Sequence, residues 1–138
     1  MANRMPPVFG DRAICRAIHY LDDSDRAGDE AECFRKGDFD GFLALVRESG
    51  DSSFKYLQNI YATGDVRNQA MAIGLALAER FLGGRGAVRV HGGGFGGTLQ
   101  AFVPKCMTEA FIDRMEKVFG EGSSKVLSFR AEGGIRVE

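Results

Sequence analysis

The sequence predicts an α+β domain, and three observations carry that reading. Apolar residues recur at helical spacing through most of the first 84 positions. A glycine-rich run, Arg89-Val90-His91-Gly92-Gly93-Gly94-Phe95-Gly96-Gly97-Thr98, is entered from a β-branched stretch and left through Leu99-Gln100-Ala101-Phe102-Val103. Beyond it lies one more helical pattern and one more strand pattern, so the order from residue 66 onward is α-β-β-α-β.

Met1 to Gly10, with Pro6 and Pro7, reads as an extended lead-in to a domain over 11–138 whose helical part is about 11–84 and whose sheet part is about 85–138. Ile14, Ala17, Ile18 and Leu21 share a helical face, which predicts a first helix over 11–21. Asp22-Asp23-Ser24-Asp25 then reads as a solvated cap, because the Gly and Glu positions of a calcium loop do not follow. A weakly amphipathic helix carries Ala27, Ala31 and Phe34, and Gly37-Asp38 ends it and starts the next, striped with Phe39, Phe42, Leu43 and Val46. A further helix is expected from Asp51 or Ser52, burying Phe54, Leu57, Ile60 and Tyr61. After the Thr63-Gly64-Asp65 turn an Ala-rich helix follows over about 66–82, closed by Gly83-Gly84. The last elements are a helix over about 107–119, with Phe111, Ile112, Met115, Val118 and Phe119 inward, and a strand from Lys125 to Arg130.

Glycine lacks a Cβ, so a cluster of it permits positive φ and close approach of backbone amides to a ligand or a neighbouring loop. Gly92, Gly94 and Gly97 fit the dinucleotide spacing G-x-G-x-x-G, which has meaning only where a helix starts inside it and points its N-terminus at a pyrophosphate. Here Leu99, Ala101 and Val103 alternate with Gln100 and Phe102, and Pro104 ends the run, so a strand follows instead. The expectation is two antiparallel strands within 87–103 joined by the glycine loop. At least one of Gly93, Gly94 and Gly96 should lie at positive φ, and alanine in their place should destabilise.

Arg89, Val90, Gly92, Gly93, Gly94, Phe95, Gly96 and Gly97 together resemble the third conserved motif of the GHMP kinases as it stands in galactokinases. The match departs at His91, where that family usually has Thr, and at Thr98, where it has Cys or Ser. The resemblance continues through Arg12 to His19, Gly37-Asp38-Phe39, Phe42 to Val46, Glu48-Ser49-Gly50, Ser53 to Asn59, Gln100 to Pro104 and Val126 to Ser128, about residues 11–137 in all. It implies a ferredoxin-like GHMP kinase C-terminal domain, an antiparallel sheet with a helical insertion ahead of the glycine hairpin. The family's N-terminal sugar-binding signature and its Pro-x-Gly-x-Gly-Leu-Ser-Ser-Ser phosphate loop are absent from these residues. The expected partner is therefore an N-terminal kinase domain outside this chain.

On that resemblance the intact protein transfers the γ-phosphate of ATP, with Mg²⁺, to galactose. The 138-residue chain alone is expected to be inactive and to hold no cofactor of its own. No catalytic or metal-binding residue is assigned here; the candidate site is the loop His91, Gly92, Gly93, Gly94, Phe95, Gly96 and Gly97, supporting the substrate or phosphate loop. His91 contacts a phosphate or sugar, or hydrogen-bonds within the hairpin. Phe95 stacks on a ligand or plugs the underside of the loop. His19 reads as structural, and Arg89 and Lys55 as solvated charges.

Composition excludes several classes. The chain is 44% hydrophobic and 27% charged, with a formal net charge of -1, which makes no electrostatic case for nucleic acid or an anionic membrane. No stretch approaches the roughly 20 apolar residues of a membrane span, so a cytoplasmic location is expected. Cys15, Cys33 and Cys106 form no C-x-x-C pair and read as reduced, mostly buried thiols. Two other functions remain open: a free-standing ferredoxin-like small-molecule binding or regulatory module, and a dimerisation domain using the helices around Phe39 to Tyr61. Apolar groups near the loop, Phe95 or Val8 and Phe9, are expected to be exposed and to favour a homodimer.

Overall fold

The protein is an α+β fold in a computed structural model that describes residues 9–95 and 97–128. Among the described residues four α-helices and a two-stranded antiparallel sheet are formed: α1 (Asp11–Lys36), α2 (Phe39–Ser52), α3 (Ala70–Leu82), β1 (Ala87–Val90), β2 (Leu99–Phe102) and α4 (Thr108–Phe119). A π-helical turn, Ser53–Leu57, prolongs α2, and a 3₁₀ turn, Lys105–Met107, leads into α4. Among the described residues no helix is long and apolar enough to cross a membrane.

Helix α1 replaces two expected helices with one of 26 residues. The Asp22–Asp25 stretch does not cap anything, because Asp23 turns inward to bond Ser49, Arg26 and Arg89, and the Ser24 hydroxyl donates back to the Tyr20 carbonyl one turn earlier at 2.7 Å. Tertiary pairing thus overrides a local capping preference. The helix stops at Gly37, whose φ of 72° is cheap only without a Cβ, and the amides of Gly37 and Asp38 return to the carbonyls of Phe34 and Cys33. Asp38 then caps α2 by accepting from the Gly41 amide at 2.9 Å.

The helix expected from Asp51 or Ser52 is not separate. Helix α2 runs into the π turn and ends at Gln58, which takes φ 55°. Phe54 is exposed, and Ile60 is buried from the irregular segment beyond. Helix α3 begins at Ala70 rather than 66, because Asp65 and Val66 hold Asn68 and Gln69 in side-chain hydrogen bonds of a turn.

The strands pair in the register Ala87↔Phe102, Val88↔Ala101, Arg89↔Gln100 and Val90↔Leu99. Period-two alternation sends Val88, Val90, Leu99 and Ala101 into a core with Leu75, Ala78 and Leu82 of α3 and Met115 of α4. The opposite face places Ala87 and Phe102 against Phe42 and Val46 of α2, with the Phe42 and Phe102 rings edge to face at 5.0 Å. The hairpin is therefore the middle of three layers. The inward face of α4 is narrower than expected, since Val118 and Phe119 are exposed.

The strand expected from Lys125 to Arg130 is not formed over 125–128, and 129 and 130 lie outside the described residues. Glu116 Oε1 accepts from the amides of Gly122 and Ser124, tying the chain after α4 to the end of that helix, and Val126 and Leu127 are left exposed. The lead-in falls outside the described residues up to Val8; Gly10 is the N-cap of α1 and Phe9 is exposed. All three cysteines are free, but Cys15 and Cys33 are only partly buried and Cys106 is exposed, against the expectation of buried thiols.

Candidate functional site

The glycine run joins β1 to β2 as the alternation predicts, and no helix begins among its described residues. The His91 amide donates to the Thr98 carbonyl and the Gly97 amide to the Gly94 carbonyl, each at 2.9 Å, so the ladder continues one step before the loop opens. Gly92, Gly94 and Gly97 have positive φ, and Gly93 does not; Gly96 lies outside the described residues. His91, Gly92, Gly93, Phe95 and Gly97 are all exposed.

Gly94 is the buried member among the loop's described residues, and Asn59 is the reason. A methyl group on Gly94 would overlap the Asn59 carbonyl oxygen and lie 2.8 Å from its Cβ, while Asn59 Nδ2 donates to the Gly93 carbonyl at 3.3 Å. Phe95 is therefore no plug. It is 57% exposed, and the place beneath the loop belongs to Asn59, which is 1% exposed. Sequence reading missed this role; the only signal was an amide set between the apolar Leu57 and Ile60.

A second polar group ties the α1–α2 layer to β1. Asp23 Oδ1 accepts from Ser49 at 2.5 Å and from Arg26 at 2.6 Å, and Asp23 Oδ2 lies 3.5 Å from Arg89 Nη2. Arg89 is thus an internal cation, not the solvated charge expected, because its strand position faces the helices. Burial raises the Asp23 carboxyl, yet Ser49, Arg89, Arg26 and His19 outweigh it and hold the group below its ordinary value of 3.8. His19, buried as a structural residue, shares a hydrogen bond of 2.9 Å between Nδ1 and Ser52 Oγ. Burial lowers its imidazole below 6.5, Arg89 and Arg26 add to that, and Asp23 and Asp22 oppose it. Lys55 is an exposed charge beside Asp51, as expected.

Ser52, His19 and Asp23 stand in the order of a nucleophilic triad, but geometry decides against that chemistry. Ser52 is 5% exposed, and His19 Nε2 is 3.8 Å from a carboxylate already engaged by two arginines and a serine. The cluster holds helices together. Two surface cavities flank the π turn, about 200 Å³ beside Ser52 and about 420 Å³ beside Phe54 and Tyr61, and neither is lined by residues 91–97. No group of three or more His, Cys, Asp and Glu that could hold a metal ion is formed among the described residues.

No family model matches the chain, and no solved structure matches it. The site therefore rests on its own geometry, which offers backbone amides at a fixed, open loop.

Two measurements test this description. Gly94→Ala should lower stability in urea unfolding by about 2 kcal/mol or more, since positive φ and the Asn59 contact both resist a Cβ. Gly93→Ala, with open space and no positive φ, should be neutral or stabilising by up to about 1 kcal/mol. Equal losses at both positions would contradict the loop geometry.

The second measurement is a pH series of thermal unfolding. His19 is held neutral in the folded protein, so its contribution is present above 6.5 and is lost as pH falls below that value. Asp23 is held ionised, so its contribution disappears as pH falls below 3.8; Glu30, raised by burial from 4.5, works in the opposite sense. Tm should decline as pH falls below 6.5, and His19→Gln should flatten that decline. An unchanged slope in His19→Gln would show that another group titrates there.

Proposed function

We propose that this chain is the C-terminal domain of a galactokinase-like sugar kinase of the GHMP class, its glycine loop supporting the phosphate loop of an N-terminal domain. The observation that carries the reading is the glycine loop between antiparallel strands, with Gly92, Gly94 and Gly97 at positive φ and His91, Gly92, Gly93, Phe95 and Gly97 exposed. Its residues resemble the galactokinase motif at eight positions, counted as Arg89, Val90, Gly92, Gly93, Gly94, Phe95, Gly96 and Gly97.

In the proposed reaction the anomeric hydroxyl of galactose attacks the γ-phosphorus of Mg-ATP, the bond to the β-phosphate oxygen breaks, and ADP leaves. The hydroxyl proton goes to a base in the N-terminal domain. Phosphoryl transfer depends on positioning and charge stabilisation, so a rigid loop of amides contributes without supplying a nucleophile. The ferredoxin-like C-terminal domain belongs to this same proposal.

A coupled ADP-release assay with galactose and Mg-ATP, run on the product of the whole reading frame and on residues 1–138 alone, tests the reading. Turnover is expected from the former and none from the latter. Turnover by residues 1–138, or no sugar phosphorylated by the whole product, would overturn it.

A second association is favoured by one feature of α1, which exposes Ile18 and Leu21 three residues apart on one outward face. We propose that this face buries itself against another copy of the chain. Sedimentation velocity should show a sedimentation coefficient rising with concentration, and Leu21→Glu should abolish the rise. A concentration-independent monomer would remove the homodimer.

A further inference from the structure

The segment between α2 and the loop carries three locally unfavourable features in a row. Ser53–Leu57 is π-helical, a form that is rare and recurs at functional sites. Gln58, a residue with a Cβ, takes φ 55°. Asn59 buries an amide whose Oδ1 has no hydrogen-bond partner among the described residues, a cost that an apolar side chain would avoid. A segment shaped by stability alone would contain none of the three.

All three lead to one place. The π turn ends with the Gln58 amide bonded to the Ser53 carbonyl at 2.8 Å, which leaves the carbonyls of Leu57 and Gln58 directed away from the helix ladder. Two arginines of α1 take them: Arg16 Nε donates to the Leu57 carbonyl at 3.1 Å and Arg12 Nη2 to the Gln58 carbonyl at 3.2 Å. With its preceding peptides held, Asn59 reaches the Gly93 carbonyl and packs its backbone against Gly94.

We propose that Asn59 is the positioning residue of the glycine loop, and that Arg12 and Arg16 set Asn59 through the end of the π turn. Asn59 fixes the Gly93 and Gly94 peptides, so the amides on the open side of the loop are presented in one orientation. Without it the loop has glycine's full backbone freedom. The bearing of this on phosphoryl transfer rests on the kinase reading; the positioning itself does not.

Amide hydrogen exchange on the chain, read residue by residue by NMR, tests it. The reporter is Gly97 N–H, bonded to the Gly94 carbonyl inside the loop, and the reference is Ala78 N–H in the core of α3. Asn59→Ala should accelerate Gly97 by about fivefold or more relative to Ala78, the loss expected for one hydrogen bond. Arg16→Met, which removes the donor to the Leu57 carbonyl, should accelerate Gly97 in the same way without touching the loop, and Arg16→Lys, which keeps a donor, should leave Gly97 protected. Should Asn59→Ala not fold, the Arg16 pair decides alone. Gly97 unchanged, or Gly97 and Ala78 accelerated together, would overturn the proposal. Galactose turnover plays no part in this readout, so failure of the kinase reading and failure of the positioning are separately visible.

Discussion

A two-stranded hairpin is marginal by itself, so its two faces must be covered for it to present anything at its tip. The coverings differ in kind. Val88, Val90, Leu99 and Ala101 meet a wholly apolar surface from α3 and α4. The other face meets α1 and α2 through Ala87 and Phe102 near one end, and through Arg89 and the Asp23 carboxylate further along β1. Apolar contact is nondirectional, whereas the Asp23 cluster accepts from Ser49, Arg26 and Arg89 in one geometry only. The polar side therefore sets where the long helix lies relative to the hairpin.

That division explains which parts of the fold were legible in the sequence. The hairpin followed from period-two alternation around a glycine run, because alternation reports directly on which side chains face a core. The break after Lys36 followed from Gly37-Asp38, since the left-handed cap and the N-cap are local devices. The continuity of α1 through Asp22–Asp25 was not legible, because the residue that overrides the local preference, Arg89, lies 66 positions away. The strand expected near Val126 failed for a related reason. Alternation marks a segment as able to pair, and the acceptor at Glu116 directs the chain elsewhere.

The candidate site divides the same way. Composition located the loop at Gly92 to Gly97, but the contact that gives it shape comes from Asn59, whose neighbours Leu57 and Ile60 gave no sign that the amide would point toward a turn 34 residues on. Phe95 misled in the opposite direction. A large apolar side chain in a glycine run suggests a plug, yet the space beneath this loop is one in which Gly94 itself is in close contact with Asn59, and no aromatic ring fits there.

The orientation of the nearby cations limits what the loop contributes. Arg89 turns to Asp23 and donates from Nε to its neighbouring Val90 carbonyl at 3.2 Å. Arg85 donates to the Leu82 carbonyl at the end of α3. Neither guanidinium is aimed at the tip, so the charged residues flanking the run in sequence are used by the fold. What remains at the tip is an array of peptide dipoles, worth most where water is excluded and least in the open. On the kinase reading, the countercharge for a polyphosphate must then come from Mg²⁺ and from the opposing domain. On the same reading the loop's proposed share is to support the phosphate loop with its backbone amides. Such a role needs a fixed backbone more than any side chain of residues 91–97, which is why the constraint imposed by Asn59 on Gly93 and Gly94 matters more to this site than the identity of His91 or Phe95.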